Sequence, residues 1–518
     1  MIGVLAGFPH REAGELVLAA LRRSVSRSLA MPLAPASLPQ NDVVVAIAPD
    51  DSAAQSLLHW LDARPRKLIL FGKLPACLHA RFGLQAKSWS EGADWACSPS
   101  APSRESAESP AKVRYLQGAA SFGASSWGRA LERFDFTNEW NNLAFGAIRV
   151  DGSIWSLAEP VQAPAETELA RVEADGEALM TYVAHFTVGE STVLWVNRAV
   201  GLIDSFEWRL IEHFLAHWQS ERLPCVPVIS ELPWGCDAAI TMRLDCDEDI
   251  ASARPLWQFY REMGVPLSLA IHTTNLHHDG HHAFLREFCD AGGVLMSHTA
   301  THAPNWGGSY EAALAEGRES YQRILDATGA AVEYAVSPFH QSPHYALQGL
   351  CEAGYKGCIG GIIRNDPEFL LARGGELAGL PQGFIGHSQQ TMMHGDCMLA
   401  EGDPLAVFKA AFDRALETRT LFGFLDHPFS ERYAYGWPDE TVRIQAHQDL
   451  IAHIRSKARS PRFMDEREAM DFLRARAAIR LWRTAVGFET NLPQGYAAGF
   501  GVEYRGTLQP LADGSVLA

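Results

Sequence analysis

The chain has 518 residues, 47% hydrophobic and 20% charged, which excludes a disordered polymer and exceeds what one ordinary core holds. Its 61 acidic and 44 basic residues leave a net charge of −17; such a surface repels phosphate backbones, so no nucleic acid and no anionic membrane is expected as a partner. No stretch reaches the ~18 uninterrupted apolar residues of a membrane span, and the nine cysteines are scattered without a Cys-x-x-Cys, as in reduced cytosolic proteins.

The start, Met1 to Gly7, is apolar but lacks the basic lead and long apolar run of a secretory signal. The chain as written is therefore expected to be cytoplasmic, and extracytoplasmic only if it has been trimmed. Ile2 to Ala6, Val43 to Ile47 and Leu68 to Phe71 read as strands, with helical spacing over Glu12 to Leu29 and Ala53 to Leu61. This alternation predicts a flavodoxin-like or Rossmann-like α/β domain, without the glycine-rich turn that nucleotide binding requires. Ser98 to Pro110, rich in Ser, Pro and Ala, reads as a surface loop. Thr192 to Asn197 is a further strand and Ser205 to Ser220 an amphipathic helix, followed by a linker punctuated by Pro224, Pro227 and Pro233.

From Ala238 the alternation lengthens. Strands are predicted at Ala239 to Leu244, Pro266 to Ile271, Val294 to Ser297, Tyr334 to Ser337, Gly357 to Ile363 and Leu421 to Leu425. Helices fall between most of them, including Tyr310 to Ala327 and Pro404 to Thr418, and a last helix runs from Glu466 to Trp482. Repeated β-then-α units predict a barrel or barrel-like parallel sheet. The expected division is an N-terminal α/β domain over 1–225, the barrel over 226–482 and a short β extension over 483–518.

Three clusters carry chemistry. Ser297-His298-Thr299-Ala300-Thr301-His302 places two imidazoles at i and i+4, read as one face of a helical turn and suited to one metal ion, or simply to a capped helix start. Asp245 and Asp247 end a strand and point to one side, where two carboxylates repel unless a cation or a shared proton intervenes. His427 ends the hydrophobic run from Leu421. With Ser337-Pro338-Phe339-His340, all of them lie at C-terminal strand ends, the face where β/α barrels assemble their sites. His272, His277, His278, His281 and His282 crowd one segment with no fixed ligand spacing and read as a solvated loop.

In this order, Asp245-x-Asp247, His298 to His302, Pro338-Phe339 and Leu425-x-His427 resemble the motifs of the NodB-type polysaccharide deacetylases, a carbohydrate esterase family. The resemblance covers roughly 238–482 and extends to Ala291-Gly292-Gly293, Thr328-Gly329 and Gly354-Tyr355. It implies a distorted β/α barrel in which Asp247, His298 and His302 ligate one divalent metal, Zn2+ foremost, with Co2+, Ni2+ and Mn2+ as alternatives. It further implies Asp245 as general base, His427 as general acid and Leu425 lining an acetyl pocket. Pro338, Phe339 and His340, with Trp306 and Trp437 following the motifs, are the candidate substrate contacts; His394, Tyr310, Tyr433 and Tyr435 are further candidates that equally read as structural residues or loop anchors.

Two departures stand out. Val336 occupies the place of the family's third-motif arginine, and its fourth, Asp-rich motif has no clear counterpart between Tyr355 and Asp366. Arg243, two residues before Asp245 on the same strand face, is the candidate replacement cation. The function expected is removal of N-acetyl groups from an amino sugar in a glycan. A small-amide or ureide hydrolase and a catalytically silent glycan-binding barrel are the alternatives. The N-terminal domain is left with docking of a protein partner or presentation of substrate.

Overall fold

The computed structural model describes residues 1–87, 112–123, 130–131, 158–174, 177–198, 200, 205–360, 373–495 and 499–518. The loop expected at Ser98 to Pro110 and the end of the strand expected beyond Gly360 lie outside them.

A nine-stranded sheet forms the first layer, in the order Ala30–Pro32, Ile2–Ala6, Val43–Ile47, Lys67–Phe71, Ser191–Val196, Glu177–Val188, Glu168–Ala174, Lys112–Tyr115, Ala130–Leu131. Its first five strands are parallel. Val43–Ile47 and Lys67–Phe71 are buried at every position, as a parallel strand covered on both faces requires. The helices Arg11–Arg22 and Asp51–Ala63 follow the first and third of these strands in the chain. The remaining four strands are antiparallel, so only half of this sheet has the predicted α/β alternation.

The second sheet carries the chemistry. Its order is Gly375–Glu376, Ile385–Ser388, Gly357–Gly360, Tyr334–Val336, Val294–Ser297, Ser268–Ile271, Ala238–Cys246, Phe422–Asp426, Thr391–Met392, with Pro461–Met464 also on Ala238–Cys246. All neighbours are parallel except the first pair. The chain itself closes the circuit. Gln389, directly after Ile385–Ser388, donates its N–H to Gly360 O, and Gln390, directly before Thr391–Met392, donates its N–H to Gly423 O, both at 3.0 Å. A distorted barrel results, sealed by two residues of connecting backbone rather than by a ladder.

Alternation along the strands divides the side chains between two cores. Leu269 and Ile271 face the surrounding helices, whereas Ala270 joins Met296, Val336 and Ile359 in a core that continues through Met470 and Leu473 to Val17 and Leu21 of the first layer. Met470 and Leu473 belong to the helix Glu466–Ala478, four residues shorter than predicted. Its sequel, Arg480–Arg483, is a strand paired with Phe488–Asn491, and the C-terminal segment adds Phe500–Tyr504 and Thr507–Leu511 beside Val228–Ile229. No helix among the described residues is long and apolar enough to cross a membrane.

A buried ion cluster ties the layers together. The Arg373 guanidinium donates to Glu212, on the helix Ser205–Ala216, at 2.7 and 2.8 Å and to Glu231 at 3.1 Å, with all three side chains shielded from water. Glu212 also accepts from Ser24 Oγ at 2.7 Å. Removing one member strands a buried opposite charge, which costs roughly 3–5 kcal/mol. Arg373→Met should therefore lower the denaturation midpoint sharply, and adding Glu212→Gln should restore part of the loss. Equal midpoints for the wild type and the single variant would show that the cluster contributes nothing.

Candidate metal and hydrolytic site

The catalytic candidates come from three strand ends at one mouth of the barrel. Asp245 is the penultimate residue of Ala238–Cys246, and Asp247 follows that strand directly. Asn275 Nδ2 donates to the Asp247 carbonyl at 2.6 Å and fixes its backbone. His298 follows the strand Val294–Ser297.

The two histidines of the pair are not on a helical turn. Thr299 and His302 have φ of 71° and 55°, and the next helix begins only at Tyr310. Glu316 on that helix holds the loop in place of regular structure. Its carboxylate accepts from Ala300 N, Thr301 N and Thr301 Oγ1 at 2.8, 2.9 and 2.6 Å. Backbone of this kind is costly and collects where function over-determines it. Among the described residues, seven of the eleven non-glycine residues with positive φ, namely Thr299, His302, Asn305, Trp306, Phe339, His340 and Tyr435, lie in the loops around this mouth.

Asp247 Oδ1, His298 Nε2 and His302 Nε2 form a nearly equilateral triangle. The two nitrogens are 3.1 Å apart, and the carboxylate oxygen lies 3.2 and 3.4 Å from them. With bonds near 2.1 Å, neighbouring ligands of one ion stand about 3.0 Å apart in an octahedron and about 3.4 Å in a tetrahedron. Asp247 Oδ1 is buried without a hydrogen bond, as suits an atom reserved for a cation. His298 Nδ1 is 3.1 Å from Val336 O, and an N–H there leaves Nε2 bare for coordination. Burial foremost pushes the His302 imidazole down to about 4, so it is neutral near pH 7. These three residues fit one divalent ion.

Asp245 lies beside them in a different environment. Arg243 Nε donates to its Oδ1 at 2.6 Å and Nη2 to its Oδ2 at 3.1 Å, a two-pronged contact inside the barrel. Burial opposes the Asp245 charge, but Arg243 and then His298 outweigh it and hold the carboxyl below its ordinary value. The remaining nitrogen, Arg243 Nη1, is 2.6 Å from the Gln389 side-chain carbonyl in the orientation that satisfies both groups, and 3.9 Å from Glu466. Glu466 is fully buried; burial pushes its carboxyl up to about 7. The guanidinium thus spans two carboxyls below the mouth.

His427 completes the opposite wall, with Nε2 3.4 Å from Asp247 Oδ2. Its backbone is anchored by Asp426, which accepts from His427 N–H at 2.7 Å, and by Arg443 Nη2, which donates to His427 O at 2.6 Å. Asp426 in turn accepts from Arg443 Nε and bonds His447 Nε2, at 2.7 and 2.9 Å. The Tyr435 ring stacks on His427 with centroids 4.3 Å apart. Burial lowers the His427 pKa, but contact with Asp247 more than reverses this and leaves it raised.

Other candidates fare unevenly. Phe339 and His340 line the cleft, Phe339 being 44% exposed with its ring 4.5 Å from that of His302. Pro338 is buried and is not part of the cleft wall. Leu425 is fully buried, and Met392, its register partner, lines the cleft instead. Trp306 and Trp437 are 0% and 2% exposed, so they do not stack on a ligand. Their indole N–H groups point to Gln341 O and Asp426 Oδ1, and they anchor the loops from within. The histidine-rich segment is only partly a solvated loop: His281 is buried and bonded to Asp249 at 2.8 Å, and His272 approaches Asp247 O. His394 and Tyr435 line the cleft, as do Ser337 and Met392, which were not singled out as contacts.

No family model matches the chain, and no curated protein matches it. Among solved structures it is similar to a Mycobacterium smegmatis protein assigned as a polysaccharide deacetylase, with 14% identity, 47% of this chain and 92% of that one covered, and a TM-score of 0.38. It is also similar to a family 4 acetyl xylan esterase from Clostridium thermocellum in complex with cobalt, with 12% identity, 45% and 90% coverage and a TM-score of 0.30. A third is the Puue allantoinase, with 12% identity, 47% and 92% coverage and a TM-score of 0.36.

Loss of a metal ligand should exceed the 10–100-fold typical of losing a residue behind one, so Asp247→Ala and His302→Ala should each weaken binding of Zn2+ or Co2+ by more than about 100-fold. Calorimetry on chelator-stripped protein reads this directly. Unchanged affinity in both variants would show that the triangle is not a cation site.

Proposed function

We propose that the chain is a metal-dependent hydrolase that removes N-acetyl groups from an amino sugar in a glycan or glycan precursor. The observation that carries this reading is a cation-sized triangle of Asp247, His298 and His302 flanked, across one cleft, by an arginine-held carboxylate and a histidine. The order of the four motifs along the chain supports N-acetylated sugar as the substrate.

Asp247, His298 and His302 would hold one divalent ion, Zn2+ in the first instance, which when bound polarises an amide carbonyl and lowers the pKa of water. The rest belongs to the chain. Asp245, kept ionised by Arg243, accepts a proton from water as its oxygen adds to the acetamide carbon. The His427 imidazole, held by Asp426 and Arg443 through its backbone, presents Nε2 to the cleft and gives its proton to the departing amine nitrogen as the C–N bond breaks. Without that proton the tetrahedral adduct would expel water instead. Tyr435, Phe339 and Met392 wall the cleft and limit the access of bulk solvent. Residues 1–225 would act as a supporting layer, with substrate presentation or partner docking as their further role.

The test is acetate release from N-acetylated chitooligosaccharides, with allantoin as the ureide control. Activity should vanish with chelator, return on adding Zn2+, Co2+, Ni2+ or Mn2+, and be absent on allantoin. Ureide cleavage without acetate release would overturn the sugar assignment, and inertness on both with metal bound would favour the silent binding barrel. Arg243→Met removes the charge that depresses Asp245, so burial raises that carboxyl. The acid limb of the kcat/KM profile should then move to higher pH, with a loss at neutral pH of up to roughly 10²–10⁴-fold. An unshifted profile at full activity would dismiss the role given to Arg243.

A further inference from the structure

The strand that carries His427 has a short neighbour whose register decides what faces it. Thr391 pairs with Phe424 and Met392 with Leu425 in parallel. Continuing that pairing by two residues sets His394 opposite His427, and their ring nitrogens meet: His394 Nε2 is 2.7 Å from His427 Nδ1. Met393 N–H donates to Leu425 O at 2.7 Å and locks the register between them.

The loop that follows is equally constrained. Gly395 N–H donates to Tyr435 O at 3.0 Å, and the backbone crosses that of 435–437 so closely that a Cβ on Gly395 would lie 2.1 Å from Gly436 O. Gly436 itself needs φ of +75°. The two glycines let two loops touch backbone to backbone, which presses Tyr435 onto one face of His427 while His394 meets its edge.

We propose that His394 is the positioning residue for the proton donor, accepting the Nδ1–H of His427 and so directing its Nε2–H into the cleft. The inference rests on the reading of His427 as the acid. A 2.7 Å contact between two imidazoles holds one hydrogen. When His427 carries both of its protons, the hydrogen in the contact is its own, so His394 must be neutral with its proton on Nδ1. The surroundings favour that form: burial foremost, then the His427 charge, pushes His394 down to about 3, against the opposing pull of Asp426 and with His340 and Arg443 adding to the depression. A neutral acceptor fixes the direction of the His427 ring without adding the negative charge that a carboxylate would bring.

The test uses the full chain in two variants. Gln places an amide oxygen where His394 has Nε2, whereas Ala removes the acceptor. Loss of a residue behind a reacting group costs about 10–100-fold, so His394→Ala should lower kcat for acetate release by that amount with KM within about twofold, and His394→Gln should restore most of it. Long-range ¹H–¹⁵N spectra of histidine-labelled, metal-free protein give a readout independent of turnover. At a pH high enough for His427 to be neutral, it should show a dominant Nδ1–H tautomer in the wild type and the Gln variant and a solvent-like mixture in the Ala variant. Should the Ala variant not fold, the Gln variant carries the test through its spectrum and its kcat. The inference is overturned if His427 has the same tautomer mixture in wild type and Ala variant, or if the folded Gln variant loses kcat as Ala does. Should the wild type release no acetate from any glycan, the proposed reaction fails while the spectra still decide what His394 does.

Discussion

Two carboxylates two residues apart at the end of one buried strand are the constraint around which the barrel mouth is built. Side by side and screened from water, Asp245 and Asp247 could not both remain charged without compensation. The chain compensates them differently. Asp245 is gripped from below by a guanidinium inside the barrel, while Asp247 faces two imidazole nitrogens at coordination spacing and a third histidine across the cleft. One carboxylate is thereby paired with a protein cation, while the other faces only imidazoles, at a spacing that fits an ion. This asymmetry lets neighbouring identical groups take different chemical roles.

Much of the surrounding structure holds these groups at fixed distances. Glu316 holds the His298–His302 loop, the Asp426–Arg443–His447 cluster holds the His427 backbone, and Asn275 holds Asp247. Each support is a side chain on a following helix or strand end bonding to backbone, so the site's geometry is tied to how the outer helices pack. That the loops adopt strained dihedrals at Thr299, His302, Phe339 and His340 shows how far these contacts outweigh local preference.

Six of the ten strands of the second sheet were legible because they are short apolar runs ending in polar chemistry, and the spacing of the motif residues survived translation into structure. What failed depended on information from distant parts of the chain. The i,i+4 histidines read as a helical turn because spacing alone does not distinguish a helix from a left-handed loop that brings the same atoms together. Trp306 and Trp437 looked like ligand platforms because an aromatic after a motif gives no sign of which way it turns; both turned inward to bond Gln341 and Asp426. The strands Ile385–Ser388 and Thr391–Met392 are too short to register as apolar runs, so the closure of the sheet and the contact between His394 and His427 were both hidden. The antiparallel half of the first sheet was missed for a different reason: Glu168–Ala174 carries charges at Glu168, Arg171 and Glu173 and mimics a polar connection.

The continuity of the apolar core through the helix Glu466–Ala478 has a consequence for how the molecule comes apart. Met470 and Leu473 lie within the barrel's inner core and in the same cluster as Val17 and Leu21 of the first layer, so each sheet keeps a core on its outer face but loses the shared one once the other is lost. Melting should accordingly proceed as a single cooperative event. A fragment cut at the proline-punctuated junction would carry a bare oily surface into solvent and aggregate rather than persist as an independent catalyst.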